Sequence, residues 1–537
     1  MAIFEKTSHT KALIDDTEIL NCTIENSQTV RKHTEYTLRV YRGILKDTSW
    51  TVSRRYKDFV DLHAALAPSG YELPLPPKKF FGNLDPSFIA ERQIALQNYL
   101  NEILRHDELA LSRQVRSFLD PHNYSANTAE LALQTVSIAL RGEGRFELKG
   151  AIADIGWRLR KHNFLVTDTK TQENCMLSWQ NFGPDRYLND KKLQAALKSL
   201  QNLVHPHIDP ILAFQNLDTG VYVVRSIYEG GSLRDMIYHT EYSGNYLAKY
   251  SNPKNISPFV EEQIYDYGRQ ILEALKFLHE KGLPHGHIHP GNIMVVQHHV
   301  YLTDIENILL GGPHLYRQYL LQLRPNYSAD NVDAYCFGRV LYEMTFGRPL
   351  PHCYCDTYPD YLSEEIKSVL RIILSRESCR SMPASLTDLL MLPTFNKRPV
   401  RHKDERATLK FPLALKEELR AAVDHIEDKL KKDQKKMRSA KREVRIQEIL
   451  NSEDEMKKQK RKVKRRESQW QSMSSIPDMY ISASVSDASS PTPPTTGAIC
   501  ARSPDSPSTY DPRRSLLDAI CNFDKSRLAA RHNAEHR

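Results

Sequence analysis

The stretch "LPLPPKK", residues 73–79, constrains the fold around it more than any other seven residues of the chain. Pro74, Pro76 and Pro77 lack a backbone N–H donor and hold φ near −65°, so the segment is an extended, stiff loop carrying Lys78 and Lys79. Regular structure has to come from what flanks it. Before it, "YTLRVY" places Tyr36, Leu38 and Val40 on one face of a period-two run, and "WTVS" repeats the alternation. That is the pattern of antiparallel strands with one buried side. The period then changes: Phe59, Leu62 and Leu66 fall at i, i+3, i+7, and Leu96, Leu100, Ile103 and Leu104 at i, i+4, i+7, i+8. Each set gives one helix an apolar stripe. Residues 17–121 therefore read as an α+β module, sheet first and helices after.

The chain has 537 residues, and single cores seldom grow past about 250, so two to four domains are expected. Residues 150–395, strand-rich at first and helical from "EEQIYDYGRQILEALKFLHEKG" onward, suit one two-lobed domain. From 400 to 470 a charged, proline-poor segment reads as a solvated helix and linker. Residues 471–510, with "SSPTPPTTG", read as a disordered Ser/Pro linker. In 511–531, "RRSLLDAICNFDKSRL" restores helical spacing through Leu516, Leu517, Ile520 and Phe523. A helix this short is marginal alone in water and is expected to form on a partner.

The formal charge of +8 is local: residues 429–466 hold 17 Lys and Arg against 6 Asp and Glu. Within them "KKQKRKVKRR", 457–466, attracts anionic lipid, nucleic acid or an import receptor alike. No aromatic residue interleaves the run as a base-stacking platform, so nucleic acid is not expected as a partner. Eight cysteines are scattered without zinc-finger or secretory spacing, the usage of a reducing, intracellular setting. "MAIFEKTSHTKALIDD" has no apolar signal core, and no stretch approaches the roughly 20 apolar residues of a membrane span. Membrane contact is expected to be peripheral.

"RRYKDF", residues 54–59, stands where a strand feeds a helix; the proline loop follows, and then Arg92 in "ERQIALQNYL". Together they can surround one anionic headgroup. This ordered triple resembles a PX domain, the phosphoinositide-binding module, over about 105 residues, which implies a three-stranded antiparallel sheet plus helices. The resemblance implies that Arg55 grips the 3-phosphate, since a guanidinium fork donates two parallel charge-assisted bonds. It implies further that Tyr56 lays its ring against the inositol, Lys78 neutralises the 1-phosphate and Arg92 bonds the 4- and 5-hydroxyls. Phe80 and Phe81 either enter the lipid interface or pack on the domain.

A second resemblance covers roughly 150–395. "LVHPHI", "YEGGSLRDMI", "HGHIHPGNIMV", "LTDIENILLGG" and "VDAYCFGRVLYEMTFGRP" stand in protein-kinase order and spacing, which implies a bilobal kinase-like fold. Kinases work by positioning and charge neutralisation, and the parts can be checked singly. "GWRLRK", from Gly156, keeps only the first glycine of the phosphate loop. "CMLSWQ" puts Ser178 or Trp179 where a lysine should meet the phosphates, with no cation adjacent, and Ala196 stands where that lysine's glutamate should be.

In "HGHIHPGN", residues 285–292, Gly286 replaces the arginine, His287 the catalytic aspartate and His289 the lysine; Asn292 is kept. Asp304 is kept in "TDIEN", while Ile305 and Glu306 replace Phe and Gly. By the resemblance, Asn292 and Asp304 retain residue types that hold one divalent ion, so residual Mg or ATP binding stays open although no cofactor is required. His287 accepts a proton near neutral pH, which keeps an active serine/threonine kinase with an atypical loop as the alternative. Each lost role costs on the order of 10²-fold or more, so the expectation is a pseudokinase with no catalytic residues. His285, His287 and His289 alternate along a loop and no cysteine joins them, which is not the pattern of a helical zinc site, and Asp333 and Arg380 read as structural anchors.

"RRSLLDAICNFDKSRLAAR" resembles a WH2 motif, which implies actin binding through Arg514, Leu516, Leu517, Ile520 and Leu528. Ala529 and Ala530 depart from the expected lysine-containing pair, and a generic partner helix is the alternative. The order of parts implies a cytoplasmic protein, peripheral on endosomal or plasma membranes. It would bind phosphatidylinositol 3-phosphate and actin and act in endosomal receptor trafficking. Sodium/potassium-pump β subunits are the further partners the resemblance implies.

Overall fold

The computed structural model describes residues 13–473, except 44–47, 80–81, 83, 153, 324–326, 382–383 and 397–406; in the last helix the side chains of 454, 459 and 463–473 are not described. The described residues up to Lys457 form one compact unit. Phe80, Phe81 and the whole of 511–531, with Arg514, Leu516, Leu517, Ile520 and Leu528, lie outside the described residues.

The alternation read in "YTLRVY" becomes the middle strand of an antiparallel sheet: β1 (Leu20–Val30), β2 (His33–Arg42) and β3 (Ser49–Arg55), in that order. Leu38 faces Ile24 and Val52 across the sheet, Val40 faces Cys22 and Trp50, and Tyr36, Leu38 and Val40 are buried. α1 (Tyr56–Leu66) leaves β3 directly and buries Phe59, Leu62 and Leu66. α2 (Pro86–Arg105) starts on a proline at its first position, with Asp85 accepting from the Ser87 N–H at 3.0 Å. It covers the bulged edge of β1, where the Gln97 amide accepts from the Ile24 N–H (2.7 Å) and donates to the Cys22 carbonyl (3.1 Å). The short helices α3 (Asp107–Ala110), α4 (Arg113–Leu119) and α5 (Pro121–Tyr124) close the module. Phe59 is its centre, edge-on to Tyr36, Tyr99 and Phe118.

α6 (Thr128–Glu143) crosses to a second sheet and lays Ala132, Val136 and Leu140 on its outer face. The sheet holds β4 (Phe146–Ile152), β5 (Lys161–Asp168), β6 (Asn174–Asn181), β7 (Ala213–Leu217) and β8 (Gly220–Ser226), in the order β4-β5-β6-β8-β7. α7 (Asp190–Gln201) lies between β6 and β7 in the chain. Below come α8 (Leu233–Tyr238), α9 (Tyr246–Tyr250), α10 (Glu261–Glu280), the hairpin of β9 (Ile293–Val296) and β10 (His299–Leu302), α11 (Asn307–Leu310) and α12 (Arg317–Leu320). α13 (Ala329–Phe346), α14 (Glu364–Leu374), α15 (Leu386–Met391) and α16 (Pro393–Asn396) complete the helical lobe.

α17 (Leu413–Met473) differs from the solvated helix that its charge suggests. Leu415, Leu419 and Ala422 are buried in the core of the helical lobe, and Ile426 and Leu430 pack against it. These five fall on one helical stripe, which the dense Lys and Glu residues around it disguise. Lys192 of α7 pairs with Glu418 at 2.5 Å, and the Gln434 amide donates to the Leu320 carbonyl at 2.9 Å. The first part of α17 is therefore a fixed element of the kinase-like domain.

Candidate functional site

Two cation-rich regions stand out. At the β3–α1 corner the Arg55 backbone is extended and its N–H donates to Asp58 (2.7 Å), capping α1 and leaving the Arg55 side chain exposed. The Tyr56 hydroxyl donates to the Pro76 carbonyl (2.5 Å), tying the proline loop to that corner. Arg92, buried on α2, lays its guanidinium 4.2 Å from the ring centroids of both Tyr56 and Phe88 and donates to the Pro77 carbonyl at 3.3 Å. Its Nε has no partner. Lys79 covers Phe88 at 4.1 Å, and Lys78 is exposed on the same loop. Among the described residues no carboxylate lies within 4 Å of the Arg55 or Arg92 guanidinium. Arg55, Tyr56, Lys78 and Arg92 are thus gathered at one loop and one corner. The Tyr56 ring has one face covered by Arg92, where the resemblance gave it to inositol.

The cleft between the lobes is arranged differently. Trp179 points into the outer core of the sheet, so Ser178 faces the cleft, where its hydroxyl donates to Asn163 at 2.7 Å. The missing cation is supplied from the neighbouring strand: Lys161 of β5, on the same face as Asn163, places Nζ 2.6 Å from Asp304 Oδ1. The expectation of no adjacent cation is corrected here. Burial would raise the Asp304 pKa, but Lys161 and Arg225 outweigh it and hold the carboxyl far below its usual range. Arg225 of β8 meets Glu306 with two bonds, 3.1 and 2.6 Å, and has Asp209 3.3 Å from its Nε. Glu306, standing where kinases carry glycine, is therefore a partner for a buried arginine.

The segment expected to be the phosphate loop folds down onto the catalytic loop. Arg158 donates to the Pro313 carbonyl (2.7 Å) and to His287 Nδ1 (3.2 Å), and the Trp157 indole N–H points at His289 Nε2 (3.3 Å). The Gly291 N–H donates to His289 Nδ1 at 3.1 Å. A neutral imidazole accepts at one nitrogen only, so Trp157 and Gly291 compete for that ring. His287 stacks on His314 at 5.3 Å. Burial first, and then the nearby Arg158, push His287 far below the ordinary imidazole range; burial and neighbouring arginines do the same to His289, and His314 is pushed down to about 3.

Asn292 spends both amide atoms on the loop itself, accepting from the His289 N–H (3.0 Å) and donating to the His287 carbonyl (2.9 Å). Asp333 accepts from the N–H groups of His285 and Gly286, both at 2.8 Å. Gly286 has φ +71°, and a Cβ there would meet Ile308 Cδ1 at 3.0 Å, which is why glycine fits where kinases place arginine. Arg380 is exposed. Ala196 is buried on α7. The cavity left in the cleft is about 170 Å³.

Sequence reasoning missed Lys161, Arg158, Trp157 and the Arg225–Glu306 pair. One signal was present: Lys161 and Asn163 share a strand face, and a carboxylate at 306 inside a packed segment calls for a cation. Among the described residues no group of three or more His, Cys, Asp or Glu is arranged to hold a metal ion, and no helix is long and apolar enough to cross a membrane.

Comparison with known proteins agrees with the two domains. The PX domain family model matches residues 43–122 and the protein kinase domain family model residues 171–306. The chain is 43% identical over 448 residues to the PX domain-containing protein kinase-like protein of Mus musculus, covering 83% of this chain and 77% of that one. It is 34% identical over 233 residues to the Slowpoke-binding protein of Drosophila melanogaster (41% of this chain, 45% of that one). It is 29% identical over 286 residues to the "Probable inactive serine/threonine-protein kinase slob1" of Dictyostelium discoideum (48% of each). An ordered PX module, a kinase fold with its reactive positions exchanged, and this degree of identity lead to one conclusion: the chain belongs to the family of PX domain-containing protein kinase-like proteins.

Proposed function

We propose that the protein is a phosphoinositide-reading adaptor of membrane traffic whose kinase fold binds protein and does not transfer phosphate. The observation that carries this is the contrast in charge pairing: Arg55 and Arg92 have no carboxylate partner among the described residues, whereas in the cleft Lys161 is matched by one and Arg225 by two. Buried or clustered guanidinium groups without a counter-ion are suited to an anionic ligand. The ligand is phosphatidylinositol 3-phosphate, with Arg55 on the 3-phosphate, Lys78 on the 1-phosphate and Arg92 on the ring hydroxyls. This makes the protein peripheral on endosomal or plasma membranes.

The cleft does not fit a magnesium nucleotide. The Lys161 ammonium holds the one retained metal-binding carboxylate, Asn292 is spent on the loop, and Trp157 and Arg158 fill the phosphate path. A cavity of 170 Å³ also falls below the roughly 300–1,000 Å³ of ligand pockets. One observation favours the alternative of an active kinase: Lys161 is a cation at Asp304, even though it comes from β5. The protein partner is a membrane protein, either one like the Slowpoke named in its Drosophila relative or a sodium/potassium pump through its β subunit. Actin is the partner of the tail at Arg514, Leu516, Leu517, Ile520 and Leu528.

The test is vesicle flotation of the whole chain beside a phosphotransfer assay. Arg55→Ala is expected to weaken binding to vesicles holding phosphatidylinositol 3-phosphate at unchanged thermal stability. Equal binding to vesicles without phosphoinositide would sink the lipid reading. Transfer of labelled phosphate from ATP that disappears in Asp304→Ala would replace the adaptor reading with the kinase one.

A further inference from the structure

We infer that the polypeptide-binding face of the kinase fold is already occupied, by the chain's own PX domain, and that any protein reading that face must displace it. In a protein kinase the segment after the metal-binding aspartate, together with the helices below the cleft mouth, forms the bed on which a substrate polypeptide lies. Here α12, in that segment, and α9, below the mouth, both touch the PX domain. Asp107 at the start of α3 accepts from the Gln318 amide (2.5 Å) and the Tyr319 hydroxyl (3.2 Å). Leu247 of α9 is buried inside the PX core cluster with Phe59, Leu66 and Leu109. Asn252 donates to the Gly70 carbonyl at 2.9 Å.

A strap fastens the two from the side. Asp15 pairs with Arg317 at 2.5 Å, while Asp16 pairs with Arg160 at 2.9 Å and accepts from the Tyr124 hydroxyl at 2.9 Å. Between the two faces a cavity of about 600 Å³ remains at the cleft mouth. A small apolar anchor (Leu247 with Tyr246 beside it), a polar rim and an unfilled space describe an interface built to separate rather than a continuous core. The chemistry of a competitor follows: it presents a carboxylate to Gln318 and Tyr319 and an apolar pocket to Leu247, as α3 and the PX core do now. This does not depend on what the lipid pocket binds.

Amide hydrogen exchange on the whole chain tests it, comparing wild type with Asp107→Lys/Leu247→Asp and with the milder Asn252→Ala/Gln318→Ala. Exchange at residues 315–323 is expected to rise about ten-fold or more in the first variant and by less in the second, with protection of β1–β3 unchanged. The inference is overturned if 315–323 exchange as slowly in both variants as in the wild type. It is equally overturned if exchange rises throughout β1–β3, because Leu247 would then be an integral part of the PX core.

Discussion

The β3–α1 corner and the cleft are built from the same materials, arginine, lysine and aromatic rings, and differ in what accompanies them. At the corner Arg92 is buried against Tyr56 and Phe88, bonded to a carbonyl and to no carboxylate among the described residues. In the cleft Lys161 has Asp304, and Arg225 has Glu306 and Asp209. The number of positive charges is therefore a poor guide to a site. What distinguishes a site is whether the fold has already spent those charges on its own carboxylates.

The comparison breaks most visibly at Arg225. Arg225→Met strands Glu306 and Asp209 in a buried place, and unfolding by denaturant should show a loss of about 3–5 kcal/mol. A loss under 1 kcal/mol would mean that the cleft is not neutralised as described. Acid is the next largest lever. His287, His289 and His314 are buried with pKa values below that of the unfolded chain, so they favour folding fully above about pH 6.5. That contribution falls as protons bind the unfolded state, by about 2 kcal/mol per ring at pH 5. His279 acts in the opposite sense: burial would lower its pKa, but Asp333 and Asp330 outweigh it and raise it, so its contribution is full below about pH 6.5 and fades above. Melting followed from pH 7.5 to 5 should show a net fall, and His287→Asn should flatten it.

At the corner the effect is on binding. Arg55→Ala should weaken affinity for phosphoinositide vesicles by about 10- to 100-fold, the worth of charge-assisted bonds, with Arg55→Lys intermediate. An unchanged affinity would mean that the exposed guanidinium serves only as surface charge. Smallest is Lys161→Met, which unpairs Asp304. A rise in Tm of a few degrees with added magnesium, absent from the wild type, would show that the ammonium alone keeps a cation out.

The parts legible in the sequence are those with local periodicity. Tyr36, Leu38 and Val40, and then Phe59, Leu62 and Leu66, announce strand and helix because a buried face repeats within a few residues. The gathering of Arg55, the proline loop and Arg92 was readable from their order. Lys161 was not: its partner lies 143 residues away, and its role depends on how β5 registers against β6. Arg317 is the same case, joined to Asp15 and Asp433, each more than a hundred residues away in the chain. The stripe on α17 was present in the letters but hidden among lysines, since composition averages over a face that packing selects.

That stripe bears on how the protein can be cut. Val204 pairs with Thr408 in an isolated bridge just before α17, and Leu415, Leu419 and Ala422 then seal the lower lobe beside α7 and α12. A fragment ending near residue 395 leaves that seam bare. Such a fragment is prone to clumping, and a partner seen to stick to it would be reporting an open wound in the fold instead of a docking surface.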